Sequence, residues 1–211
     1  MARGFLITFE GGEGAGKSTQ LARLAPRIAA LGRQVVTTRE PGGSAGGEAI
    51  RGLLVRGDAD RWSPIAETLL MYAARRDHIE HVIAPALERG AVVVCDRFAD
   101  STRAYQGAGG GAPGGLIEAL EVHVLGAARP DLTLIFDLPA EVGLARAAGR
   151  AGAETRFEAK GLNFHRRLRA AFLAIARAEP ERCVVIDAAP NEDAVAAAVW
   201  AAVAGRLERL T

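Results

Sequence analysis

Eight residues near the start of the chain, from Gly11 to Ser18, fit the pattern G-x-x-x-x-G-K-[ST]. Glycines in such a segment let successive backbone N–H groups face a phosphate, the lysine reaches the β and γ phosphates, and the serine hydroxyl suits Mg²⁺. An apolar run precedes the pattern and an amphipathic segment follows it, which predicts the strand, loop and helix that this chemistry needs. The predicted phosphate loop comprises Gly11, Gly12, Glu13, Gly14, Ala15, Gly16, Lys17, Ser18 and Thr19.

A second candidate site is the charged pair Asp96 and Arg97, which directly follows the apolar run 91–95. In open α/β sheets, ligands bind at the carboxyl ends of the strands. A charged pair at that edge therefore indicates a functional site rather than an ordinary strand exit.

The elements that must position these residues follow from hydrophobic patterning. Five short apolar runs without polar alternation are typical of strands covered on both faces, and longer segments of helical period separate them. The prediction is an α/β fold with a five-stranded parallel sheet flanked by helices on both faces. The predicted strands are 5–9, 34–38, 91–95, 132–136 and 183–186, and the predicted helices are 17–31, 45–56, 64–88, 114–126, 139–149, 158–178 and 191–208.

The chain of 211 residues is predicted to form a single domain over 1–211. The Gly-rich stretch 106–115 could pass for a linker, but too few residues remain on either side for two independent α/β cores. We therefore expect it to be a mobile loop within one domain.

Charge and cysteine content limit which partners and which cellular compartment are expected. Lys plus Arg total 26 against 25 for Asp plus Glu, so neither nucleic acid nor an anionic membrane is an expected partner. No apolar run approaches the roughly 20 residues of a membrane span. Cys95 and Cys183 show no C-x-x-C pairing and are expected to be buried thiols of a reducing compartment, which predicts a cytoplasmic protein.

Two groups of basic residues are expected to lie on the surface rather than in a functional site. His78 and His81, three residues apart on a predicted helix, could share a metal but have no third ligand in view, so an exposed helix face is expected. The cluster 165–169, which contains His165 and three arginines, is likewise expected to be mostly solvated.

The phosphate loop alone indicates only a nucleotide-dependent protein. A GTPase would need an N-K-x-D element, which the sequence lacks. Nucleotide-driven switch ATPases and small-molecule kinases both remain open on this motif.

Four further segments narrow the choice. They read T-R-E-P-G-G at 38–43, G-E-A-I-R at 47–51, Y-A-A-R at 72–75 and D-R-F-A-D-S-T-R-A-Y-Q-G at 96–107. In this order they closely resemble the bacterial thymidylate kinases, whose signature is D-R-[FY]-x-x-S-x-x-A-Y-Q-G, and the resemblance runs from the first strand to the last helix. It implies a P-loop nucleoside monophosphate kinase fold, Mg²⁺-dependent transfer of the γ-phosphoryl group of ATP to dTMP, a mobile lid over about 147–157, and a homodimer.

The resemblance also implies residue roles. Arg97 and Arg51 match arginines of the dTMP phosphate site, Glu13 matches the carboxylate near the 3′-hydroxyl, and Tyr105 matches the ring beneath the deoxyribose. Catalytic residues are expected to be Lys17, Arg97, Arg150 and Arg156, the last two in the lid. The implied dTMP site is Glu13, Arg51, Met71, Arg75, Arg97, Thr102, Tyr105 and Gln106, and the implied metal site is Ser18 and Asp96.

One position departs from the family pattern. Met71 stands where the family usually has a phenylalanine that stacks on thymine, and a thioether has no flat ring face. Two alternatives stay open. One is a kinase for another nucleoside monophosphate, which an acceptor panel would reveal. The other is a nucleotide-driven switch that hydrolyses ATP slowly without an acceptor, against which the signature at 96–107 argues.

Overall fold

Five strands form one parallel sheet in the computed structural model, which describes residues 3–58, 60–148, 156–157 and 160–208. Their order across the sheet is β2-β3-β1-β4-β5, and every neighbouring pair is parallel. The predicted fold class is thereby confirmed. The strands are β1 (Phe5–Gly11), β2 (Val35–Arg39), β3 (Val92–Asp96), β4 (Leu132–Asp137) and β5 (Cys183–Asp187). The three central strands are buried, whereas the edge strands β2 and β5 are partly exposed.

Helices connect successive strands and, apart from α5, which was not predicted from the sequence, lie close to the predicted segments. They are α1 (Lys17–Ala29), α2 (Ala45–Leu54), α3 (Pro64–His78), α4 (Ala84–Glu88), α5 (Ala99–Thr102), α6 (Gly114–Leu125), α7 (Ala140–Ala148), α8 (Leu162–Ala178) and α9 (Glu192–Leu207). A π-helical segment, Ile79–Ile83, joins α3 to α4, and a second one, Arg103–Gly109, continues α5. In the described part of the chain, none of these helices has both the length and the apolar character that crossing a membrane requires.

Both faces of the sheet are covered, as the apolar runs predict. On one face, Phe5, Ile7 and Phe9 of β1 belong to a core that includes Leu24 of α1 and Val199 of α9. The opposite face is covered in two parts. Leu6 and Val93 pack with the α3–α4 region, and Ile135 of β4 packs with Phe164 and Phe172 of α8.

A polar residue of β1, Glu10, positions the turn that follows β3. The Glu10 carboxylate is fully buried and accepts hydrogen bonds from the backbone N–H groups of Phe98 and Ser101, at 2.8 and 3.2 Å, and from the Ser101 hydroxyl at 2.5 Å. Burial, together with repulsion from Asp100, raises the pKa of Glu10 to about 7. This acid therefore ties the start of α5 to the central strand.

The prediction of a mobile loop over 106–115 is wrong for most of these residues. Residues 106–109 belong to the second π-helical segment, and α6 begins at Gly114. The physical reason is packing: a Cβ at Gly109 would lie 2.6 Å from the ring of Phe164, so glycine allows this segment to approach α8. Most of the predicted lid over 147–157 falls outside the described residues, since these omit 149–155.

The phosphate loop and α7 approach each other through two glycines. A Cβ at Gly143 would overlap the carbonyl oxygen of Glu13, and a Cβ at Gly14 would overlap the carbonyl oxygen of Gly143. The backbone of α7 therefore serves as a wall behind the loop, and neither position has room for a side chain.

We expect Gly143→Ala to lower the free energy of unfolding by about 1–3 kcal/mol, because the methyl group must push the loop away from α7. Gly205→Ala is the matched control, since Gly205 is an exposed residue of α9 whose Cβ would meet nothing within 4 Å. There alanine should raise stability by up to about 1 kcal/mol. Urea unfolding of both variants measures the contrast, and a stabilised Gly143→Ala protein would contradict it.

Candidate active site

A cavity of about 360 Å³ opens at the carboxyl ends of β1 and β3. Its size is within the range of small-molecule sites. The phosphate loop forms one wall, and residues of α3, α5 and the second π-helical segment form the other. Predicted site residues that line it are Glu13, Gly14, Ala15, Gly16, Lys17, Ser18, Arg51, Met71, Arg75, Asp96, Arg97, Thr102, Tyr105 and Gln106.

The loop wall is built by the tight connection between β1 and α1. Gly14 and Gly16 adopt left-handed backbone conformations with φ of 68° and 81°, which glycine tolerates readily. Helix α1 then begins at Lys17, so its positive dipole end faces the loop. The Lys17 ammonium donates to the carbonyl oxygens of Gly11 and Gly12, at 3.1 and 2.8 Å. Burial, with repulsion from Arg97, lowers its pKa to about 8.

Ser18 and Asp96 meet beside the loop. The Ser18 hydroxyl donates to Oδ2 of Asp96 at 2.6 Å, and Oδ1 of Asp96 is buried without a hydrogen-bond partner among the described residues. A hydroxyl and a carboxylate are oxygen ligands of the kind Mg²⁺ prefers, and this ion usually takes its remaining ligands from water and substrate phosphates. The donor set therefore fits Mg²⁺. No cluster of three or more His, Cys, Asp or Glu suited to a metal is found in the described ranges.

An ion pair closes the gap between the two walls. Arg97 donates to Oε1 of Glu13 at 2.9 Å and to the carbonyl oxygen of Gly11 at 2.9 Å. The Tyr105 hydroxyl donates to the same Glu13 oxygen at 2.8 Å, and the Arg97 guanidinium lies 4.9 Å from the Tyr105 ring centre. Burial alone would raise the pKa of Glu13, but the charges of Arg97 and Lys17 outweigh it and lower the pKa to about 2.

The far end of the cavity is organised around Arg75. Its Nε donates to Oε2 of Glu40 at 2.7 Å, and its Nη2 donates to the Phe98 carbonyl at 2.9 Å and the Thr102 hydroxyl at 3.1 Å. Nη1 is buried and has no hydrogen-bond partner among the described residues. Because such a group is costly to leave unpaired, Arg75 retains a donor for a ligand.

His78 supports this arrangement, and the expectation that it faces solvent is wrong. Its ring is fully buried, with Nδ1 2.9 Å from Oε1 of Glu40 and Nε2 2.7 Å from the Thr38 hydroxyl. The Glu40 carboxylate is thus shared between His78 and Arg75. His81, by contrast, is exposed as expected.

Three further cavity residues were predicted from the resemblance: Arg51, Met71 and Gln106. Met71 packs with Leu54 in a small buried cluster. Arg51 donates to the Pro41 carbonyl at 2.6 Å. Gln106 is buried, and its Nε2 donates to Oε1 of a glutamate on α3 at 2.8 Å.

Some predicted site residues are placed elsewhere. Arg156 does not line the cavity; its guanidinium donates to the carbonyl oxygens of Leu54 and Asp58, at 3.1 and 2.9 Å. Arg150 lies outside the described residues. The roles of both arginines in the transfer step stay predictions. Gly11, Gly12 and Thr19 are predicted residues of the phosphate loop that are not part of the cavity lining. Gly11 is the last residue of β1, and Thr19 lies in α1.

Sequence reasoning missed two buried acids, Glu40 and Glu67, and the burial of a second histidine, His165. Glu40 could have been found, because it lies two residues after the predicted strand 34–38. No pattern in the neighbouring sequence marks Glu67 as a site residue. His165 is buried rather than solvated, and its Nε2 has no hydrogen-bond partner in the described part of the chain. Its neighbour Arg166 is exposed, as expected.

Comparisons with known proteins agree with this geometry. The family model described as thymidylate kinase matches residues 9–199. The chain belongs to the thymidylate kinase family. Thymidylate kinase from Caulobacter vibrioides is 70% identical, over 98% of this chain and 99% of that protein. Its counterpart from Nitrobacter winogradskyi is 56% identical, over 97% and 90%.

A solved structure supports the same assignment. The crystal structure of thymidylate kinase from Ehrlichia chaffeensis matches with a TM-score of 0.77 and 34% sequence identity, covering 96% of this chain and 99% of that one. Family membership makes the chain a nucleotide kinase, and it confirms the resemblance inferred from the ordered motifs.

The pKa of Lys17 predicts how nucleotide affinity depends on pH. A bound phosphate favours the ammonium form, so binding above pH 8 must also take up a proton, whereas below pH 8 the proton is already present. The dissociation constant for ATP should therefore be flat below pH 8 and rise toward about tenfold per pH unit above it. Calorimetry from about pH 7 to roughly 9.5 measures the slope.

Lys17→Arg is the control, because a guanidinium stays protonated throughout this range. Whatever its absolute affinity, this variant should show no such slope. Equal slopes in the two proteins would assign the titration to another group.

Proposed function

We propose that this chain transfers the γ-phosphoryl group of ATP to dTMP, producing ADP and dTDP. The observation that carries the proposal is a single cavity with a phosphate loop on one wall and the Arg75 donor, Gln106 and Tyr105 on the other. Membership of the thymidylate kinase family supports it. Two further parts of the proposal are localisation in the cytoplasm, which rests on the unpaired cysteines, and assembly as a homodimer, which rests on the resemblance.

On the donor side, Lys17 and the backbone N–H groups of the loop would hold the β and γ phosphates of ATP. Lys17 now donates to two backbone carbonyls, and a phosphate offers the same donor stronger, charged acceptors. Ser18 and Asp96 would hold Mg²⁺, which when bound neutralises charge on the phosphate oxygens.

On the acceptor side, Arg97 and Arg51 would hold the dTMP phosphate in line with the γ phosphate. An oxygen of that phosphate forms the new bond to the γ phosphorus as the bond to the β-phosphate oxygen breaks, and ADP leaves with that electron pair. The attacking oxygen is already ionised at neutral pH, so no general base is assigned. Arg150 and Arg156 would act from the lid on the charge that develops during transfer.

The sugar and base would occupy the opposite end. Glu13 would accept a hydrogen bond from the 3′-hydroxyl, and the Tyr105 ring would lie beneath the deoxyribose. Arg75 would donate through Nη1 to a thymine carbonyl oxygen, beside Thr102 and Gln106. Met71 would contact the base through its thioether in place of a stacked ring.

The decisive experiment measures ADP release from ATP and Mg²⁺ with dTMP, dUMP, dCMP, dGMP, UMP or no acceptor. We expect turnover that depends on dTMP, and Lys17→Ala should abolish it in a protein with an unchanged circular dichroism spectrum. Slow hydrolysis that no acceptor stimulates would identify a nucleotide-driven switch, and preference for another monophosphate would change the substrate.

Tyr105 gives a test of sugar recognition. Tyr105→Ala should lower the preference for dTMP over its ribose counterpart, because the ring excludes a 2′-hydroxyl sterically. Tyr105→Phe is the matched variant: it loses the hydrogen bond to Glu13 but keeps the ring, so it should retain the preference. The ratio of kcat/KM values for the two acceptors measures the effect, and an unchanged ratio in Tyr105→Ala would leave the ring with a packing role only.

A further inference from the structure

Glu67 is a buried acid of α3 that the proposed chemistry does not use. Only 6% of the residue is exposed, and it does not line the cavity. Its Oε1 accepts a hydrogen bond from Nε2 of Gln106 at 2.8 Å, and its Oε2 forms an ion pair with Nη1 of Arg156. The carboxylate therefore lies between two donors, one of which belongs to a cavity residue.

The chemistry of these groups determines how the Gln106 amide is oriented. An ionised carboxylate can only accept hydrogen bonds, so Gln106 must turn its NH₂ group toward Glu67. Its carbonyl Oε1 then remains as the acceptor for another group. Arg156 contacts the carboxylate from its other side and can only donate, so both neighbours of Glu67 offer it donors.

An acceptor at this position discriminates between pyrimidines. Thymine and uracil carry a hydrogen on N3, whereas cytosine has a lone pair there. A carbonyl oxygen accepts a hydrogen bond from the N3–H group and repels the lone pair, and unpaired polar groups give large discrimination in closed sites. The orientation of one amide can therefore decide which class of base is accepted.

We propose that Glu67 is a positioning residue that sets the polarity of the Gln106 amide, and thereby selects acceptor bases with a hydrogen on N3. This inference rests on the proposed function, because it assumes that a pyrimidine monophosphate occupies the cavity. We call the chain of contacts from Arg156 through Glu67 to Gln106 the relay. In it, the ion pair with Arg156 anchors Glu67.

The relay predicts the effect of an isosteric change. In Glu67→Gln, the new amide must turn its oxygen toward Arg156 and its NH₂ toward Gln106. Gln106 must then turn its own oxygen toward residue 67, which leaves its NH₂ group for the base. The acceptor offered to N3–H becomes a donor, and the preference between bases shifts toward cytosine.

The test compares kcat and KM for dTMP, dUMP and dCMP in wild type, Glu67→Gln and the double variant Glu67→Gln/Gln106→Glu. Glu67→Gln should lower the ratio of kcat/KM for dTMP over that for dCMP by about tenfold or more, mainly through a higher KM for dTMP. In the double variant, the carboxylate that Gln106→Glu introduces accepts hydrogen bonds both from residue 67 and from N3–H. The ratio should therefore return to within about threefold of wild type.

The double variant separates positioning from simple stabilisation. Both variants lose the same ion pair with Arg156, so a merely structural Glu67 would leave the double variant as impaired as the single one. Glu80→Gln is the charge control, because Glu80 pairs with Arg76 on the surface, with both side chains 48% exposed, and its selectivity should equal that of wild type.

Gln106→Met provides a second measurement that does not depend on the folding of Glu67→Gln, since it removes the amide while keeping Glu67 and Arg156. It should also lower the dTMP to dCMP ratio. Equal selectivity in wild type, Glu67→Gln and Gln106→Met would overturn the relay while leaving the proposed function intact. Absence of dTMP-dependent ADP release in wild type would instead overturn the proposed function.

Discussion

The ion pair between Glu13 and Arg97 is the contact on which the rest of the site depends. It joins the phosphate loop, which follows β1, to the turn that follows β3, and Arg97 adopts a left-handed backbone conformation, with φ of 67°, in making it. The Arg97 backbone N–H also donates to the Phe9 carbonyl at 2.9 Å. Donor and acceptor halves of the cavity are thereby held at a defined separation, which in-line transfer between two phosphates requires.

Behind this contact, three buried acids each determine which atoms of a cavity residue are available to a ligand. Glu10 holds the Phe98–Ser101 turn, Glu40 holds Arg75, and Glu67 holds Gln106. Each acid accepts specific hydrogen bonds, so the groups it holds keep a fixed set of donors and acceptors. Buried acids of this kind are weak evidence for stability. Their value lies in orienting the groups that touch substrate.

This arrangement also gives the phosphate-binding side chains defined partners within the protein. Lys17 and Arg97 already have partners in backbone carbonyls and in Glu13. A phosphate can replace those carbonyls as acceptor without a change of fold, since the donors are already directed by the loop and by β3. The Gly14 and Gly143 backbones, in close approach, keep the loop from relaxing.

Local pattern and spacing by themselves determined the parallel α/β class, the five strands and the phosphate loop, because apolar strands and loop glycines leave signals within a few residues. The family came from the resemblance of the ordered motifs to those of known proteins. The same reasoning failed where distant packing decides. It predicted a mobile loop that included 106–109 and an exposed His78, yet Phe164 and Glu40 draw these residues into helix and core. Only the tertiary structure placed Glu40 and Glu67 behind Arg75 and Gln106, since the residues of each pair lie 35 and 39 positions apart. A carboxylate finds such a partner through folding, and the residues beside either acid do not show which side chain it will bind.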